Sequence, residues 1–91
     1  VVDSDTGFFL PNGAMRNPDA AWVSNDQLKK LPAEELESFP HVCPAFVIEL
    51  KSKSDRLVDL KAKMQEWMEN GCQLGWLIDA DAEVVYIYRP G

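Results

Sequence analysis

The stretch "AFVIELKS", Ala45 to Ser52, decides the fold of this 91-residue chain. All but one of its first six residues are apolar, and β-branched and aromatic side chains dominate. That composition predicts a strand over Ala45 to Leu50, and its near-continuous apolar character predicts cover on both faces. Side chains alternate along a strand, so Phe46, Ile48 and Leu50 share one face, while Val47, Glu49 and Lys51 share the other. The second set carries a carboxylate into a core. An isolated carboxylate in a low dielectric is costly, so Glu49 needs a hydrogen bond, a cation such as Lys51, or a metal.

Working outward, "SDRLVDLKAKMQEWMENG" predicts a helix from about Asp55 to Asn70, capped by Ser52 or Ser54 and closed by Gly71. Leu57, Leu60, Met64, Trp67 and Met68 recur at three- and four-residue spacing as its apolar stripe, with Lys61 and Lys63 on opposite margins. "CQLGWLID" and "AEVVYIYRP" read as two further strands around a tight "DADA" turn, where Asp79 is turn-forming. Upstream, "TGFFLP" and "NGAMRN" read as a strand, a turn at Asn12-Gly13 and a return. "PDAAWVS" reads as a strand to about Val23, the three together making a hairpin or meander. "SNDQLKKL" and "PAEELESF" read as short helices, with Ser24 or Asn25 capping the first. Strand, crossover helix, strand and hairpin in this order predict an α/β fold with a mixed sheet. The length fits one domain spanning residues 1–91. The start at Val1 without Met reads as part of something longer.

Apolar residues make up 46% and charged residues 26%, the balance of a globular chain. No run reaches the ~20 apolar residues that a membrane helix needs. Cys43 and Cys72 fit no metal-binding spacing and read as buried free thiols of a reducing, cytoplasmic setting. His41 is the only histidine, which gives neither a zinc site nor a Ser-His-Asp hydrolase support. The net charge of −6 opposes nonspecific binding to a polyanion. Yet five of the nine basic residues fall between Lys51 and Lys63, a cationic window beside an acidic chain. The aromatic residues read as core or interface.

A second carboxylate, Asp19, stands at the mouth of "PDAAWV". Carboxylates from two neighbouring strands suit Mg²⁺, a hard cation that prefers oxygen ligands. A nearby lysine could orient an attacking water or stabilise charge on a phosphate. The arrangement Pro18-Asp19, about thirty residues, then Glu49-Leu50-Lys51 resembles the PD-(D/E)XK nuclease superfamily. In succession, "RNPDAAWVS", "CPAFVIELKSKSDRL", "KMQEWMENG" and "LGWLIDADAEVVYIYRPG" resemble the Uma-two family, mostly bacterial domains of restriction endonuclease-like fold classed as endonucleases. The resemblance covers nearly the whole chain and corresponds to the C-terminal part of a family domain.

That resemblance implies a mixed β-sheet with flanking helices and a Mg²⁺- or Mn²⁺-dependent endonuclease acting on DNA. By position it makes Asp19 and Glu49 the metal-binding carboxylates, the Leu50 carbonyl a further ligand, and Lys51 the catalytic lysine. Lys53 and Lys63 become candidates for substrate binding, Lys63 also for support of the site. A homodimer is expected. The alternative is a non-catalytic dimerisation or binding module of the same fold, and the blandest account makes Glu49 and Lys51 a strand-end ion pair.

Overall fold

The structure, a computed structural model, describes residues 7–37 and 40–91. A four-stranded mixed sheet runs in the order β3 (Ala20–Trp22), β4 (Phe46–Leu50), β5 (Leu74–Asp79), β6 (Val84–Tyr88). Strand β4 pairs with β5 in parallel, and the outer pairings are antiparallel. Between β4 and β5 the chain crosses through α2 (Leu57–Glu69), as parallel neighbours require. The expected mixed α/β sheet with a flanking helix is therefore present.

Two strands before it, β1 (Phe8–Phe9) and β2 (Met15–Arg16), form the expected hairpin, but as a separate two-stranded sheet. The meander is corrected: β3 pairs with β4, not with β2. Helix α1 (Asn25–Lys29) starts at Ser24, whose side chain and that of Gln27 close a reciprocal capping box. "PAEELESF" gives a 3₁₀ turn over Ala33–Glu37; Ser38, Phe39 and Thr6 lie outside the described residues.

Helix α2 lies on one face of the sheet. Its buried residues, Met64 and Trp67, pack with Val47 of β4 and Leu77 of β5, and Leu57, Leu60 and Met68 complete the expected stripe. Gly75 leaves room for the Met64 side chain, whose terminal methyl would lie 2.5 Å from a Cβ placed there. Gly71, at φ +107°, ends the helix in the left-handed conformation expected of it. The predicted serine cap is corrected. Arg56 occupies the N-cap without a side-chain bond, because Ser52 is engaged in its own turn: its backbone N–H and hydroxyl both donate to Asp55.

The opposite face breaks the expectation that β4 is covered on both sides. Register places Trp22 beside Phe46, Ala20 beside Ile48, Ile48 in turn beside Trp76, and Leu50 beside Ile78, with Ile87 and Val85 at the far edge. Every one of these residues is apolar, yet Leu50 and Ile87 are each 55% exposed and Trp22 46%. Among the described residues, no element packs over them.

Candidate active site

The site is built where β3 enters the sheet beside the end of β4. Ala20 faces Ile48 in an antiparallel ladder, so the next pair outward is Asp19 with Glu49. Directly opposed residues point to the same face. The two carboxylates therefore meet on the α2 face. The segments are tied reciprocally: the Leu50 N–H donates to Asp19 Oδ2 at 2.7 Å, and the Asp19 N–H donates to Glu49 Oε1 at 3.3 Å. In an antiparallel ladder a residue's N–H and C=O point the same way. The Leu50 carbonyl thus faces the Asp19 side as well.

Glu49 is 2% exposed and Asp19 is exposed. The partners that let Glu49 be buried come from α2. Lys63 Nζ lies 2.9 Å from Glu49 Oε2, and the indole N–H of Trp67 donates to the same oxygen at 3.2 Å. Residues four apart lie on one helix face, so a single turn of α2 supplies both donors. The sequence offered Lys51 as the cation for Glu49; the structure gives that place to Lys63. Lys51 follows β4, half-buried, with its ammonium on the Ser52 carbonyl at 3.2 Å. Lys53 is exposed in the turn beyond.

Two features lay beyond the sequence reading. Trp67 read as core and is core, but its polar edge is spent on Glu49. The lysine at the four-residue spacing was its only signal. Asp55 is the second. The Ser52 N–H and hydroxyl hold its carboxyl below the usual range, with the positive charges of Lys51 and Lys63 adding to the effect. Both lysines therefore act on one loop carboxylate beside the site. A cleft of about 290 Å³ opens next to Lys63, lined also by Arg16, Asp59 and Glu66.

The other polar candidates stand apart. Asp79 accepts a bond from the Ala82 N–H at 3.2 Å, the turn role expected of it. His41 pairs with Glu35 at 2.8 Å and stacks on Phe9. Cys43 and Cys72 are free and buried, and a hydrogen bond to Cys72, then burial, pushes the Cys43 thiol up.

Fold and site together define a mixed-sheet α/β fold with two carboxylates joined at a strand end and a lysine–tryptophan pair behind one of them. Residues 1–91 match Uma2, the family described as "Putative restriction endonuclease", and the chain belongs to that family. A crystal structure of a "putative nuclease" from Anabaena variabilis superimposes with a TM-score of 0.66 at 25% identity. The superposition covers 86% of this chain and 44% of that one, so the chain spans under half the length of that neighbour. No curated protein matches it.

Proposed function

We propose that this chain carries the metal-binding centre of a PD-(D/E)XK endonuclease that hydrolyses DNA phosphodiesters. The observation that carries the reading is the reciprocal tie between Asp19 and Glu49 on one face of adjoining segments. Among the described residues, no three His, Cys, Asp or Glu side chains group to hold a metal. The donor set fits a hard divalent cation all the same, because two carboxylates and a main-chain carbonyl leave positions for water, as Mg²⁺ prefers. Asp19, Glu49 and the Leu50 carbonyl would hold Mg²⁺ or Mn²⁺. When bound, such a cation neutralises charge on the phosphodiester and lowers the pKa of water.

The chain's own residues have separate tasks. Asp19 and Glu49 concentrate negative charge at one point of the sheet's rim. Lys51 orients the attacking water or meets the charge that develops on phosphate. Lys53 and Lys63 contact neighbouring phosphates of the substrate, Lys63 from the wall of the Arg16 cleft.

The test is plasmid nicking by the full-length protein with Mg²⁺ or Mn²⁺, beside Asp19→Asn, Glu49→Ala and Lys51→Ala. The expected result is metal-dependent nicking that each substitution abolishes or cuts by at least ~100-fold. Equal nicking by wild type and variants would mean contamination and overturn the reading.

One observation favours a second reading, a dimerisation or binding module. The open apolar face around Trp22, Leu50 and Trp76 resembles an interaction surface more than a free one. A homodimer formed through that face, with no Mn²⁺ bound in calorimetric titration, would select the module.

A further inference from the structure

We propose that Trp67 is a positioning residue for the candidate site: its indole N–H fixes which oxygen of Glu49 faces a cation. The inference rests on the metal-site reading above. The two oxygens of Glu49 have different partners. Oε2 is turned to α2 and takes both the Trp67 N–H and the Lys63 ammonium. Oε1 is turned to β3 and takes only the longer, 3.3 Å bond from the Asp19 N–H. Oε1 is therefore the oxygen beside Asp19, with lone-pair capacity to spare.

Of the two donors on Oε2, Trp67 is the rigid one. It is fully buried among Met64, Val47 and Leu77 and has only two side-chain torsions. Lys63 is long, and its side chain is 31% exposed, so it can leave Glu49 for a phosphate without unfolding anything. If the core needed bulk alone, a phenylalanine or leucine would fill the place without a polar atom to satisfy. A buried indole N–H without a partner costs free energy. Here it ends on a buried carboxylate, Glu49, whose neighbour is another carboxylate, Asp19. Trp67 thus holds Glu49 in register through the moment at which Lys63 is released, an outer-shell role of the kind that tunes metal affinity.

The test uses full-length protein and Mn²⁺ alone, with binding followed by calorimetry. Trp67→Phe keeps an aromatic ring and removes the N–H; benzothienylalanine at position 67 keeps the bicyclic shape and removes it more cleanly. Both are expected to weaken Mn²⁺ binding by about tenfold. The Trp67 indole proton should shift in the NMR spectrum of Glu49→Gln, independently of metal. Asp19→Asn and Glu49→Gln should abolish Mn²⁺ binding. If those two lose the metal while benzothienylalanine at 67 binds as wild type does, the role of Trp67 is overturned and the metal site stands. If Asp19→Asn and Glu49→Gln bind Mn²⁺ as wild type does, the metal site falls and the role of Trp67 with it. An indole proton unmoved by Glu49→Gln also overturns the role.

Discussion

The two faces of the sheet reverse the usual assignment of polarity. The face covered by α2 carries the charged residues Glu49 and Asp79, both buried. The open face, from Trp22 across Ile48 and Trp76 to Ile87, is wholly apolar. Proteins ordinarily place charge outside and apolar side chains inside. The inversion has a separate cause on each side. On the covered face each buried carboxylate has its donors: Lys63 and Trp67 for Glu49, and the Ala82 N–H for Asp79. Such groups are retained where chemistry or a turn needs them, since burial alone would disfavour them. On the open face nothing polar interrupts the surface, which is the composition of a core half made.

The largest expected effect separates the faces by stability. Met64→Ala, on the covered face, should cost about 2–5 kcal/mol in denaturant unfolding, through lost burial and the cavity left behind. Ile87→Ala, on the open face, should cost under about 1 kcal/mol if that face meets water. A cost for Ile87→Ala as large as that of Met64→Ala would break the comparison. It would show that a further segment of the protein or a second copy covers the sheet in the protein as it exists.

The comparison also separates what the sequence disclosed from what it withheld. Alternation along Ala45 to Leu50 assigned Glu49 and Val47 to one face and Leu50 to the other, and the register agrees. It could not tell a strand made to be covered from one covered within these residues, because apolar composition is the same in both cases. The shared face of Asp19 and Glu49 was left open by the sequence: motif spacing proposed them as partners, but the strand pattern grouped β3 with the hairpin, and only the β3–β4 register brings them together. The counter-ion did not follow. Lys51 is near Glu49 in sequence, but Lys63 reaches it because α2 packs across β4 and β5. That placement is set by tertiary packing, which no local pattern records. The start of α2 was misread for a similar reason. Ser52 has cap chemistry, but Asp55 takes its donors first.

A second prediction sharpens the contrast within the covered face. Glu49→Ala should cost about 1–3 kcal/mol, because it leaves the buried Trp67 N–H unpaired and strips Lys63 of its partner. Lys63→Met alone should cost less, since Trp67 still holds Oε2. In the double variant the two losses should fall short of additivity by about 0.5–3 kcal/mol, the signature of one shared network. Strict additivity in urea unfolding would mean that Lys63 and Glu49 act independently and that the ion pair contributes nothing.

The smallest effect concerns acid. Arg16 and Asn12, on the β1–β2 hairpin, both reach Glu66 of α2. The Arg16 guanidinium, more than Asn12, holds the Glu66 carboxyl below its ordinary 4.5. A lowered carboxylate contributes stability that is present above about pH 4.5 and fades as pH falls through the folded-state value. The pair is partly exposed, so its share is about 0.5–1 kcal/mol. Glu35 and Asp55 are lowered too and fade over the same acid range, so the wild-type curve alone cannot isolate the pair. The difference between wild type and Glu66→Gln can: it should be flat above about pH 5 and shrink below pH 4. For Ile87→Ala the same difference should stay flat from pH 7 to pH 3, because the open face carries no group that titrates. A pH-dependent cost there would mean that a charged partner sits against the sheet, and the open face would then have to be read as an interface.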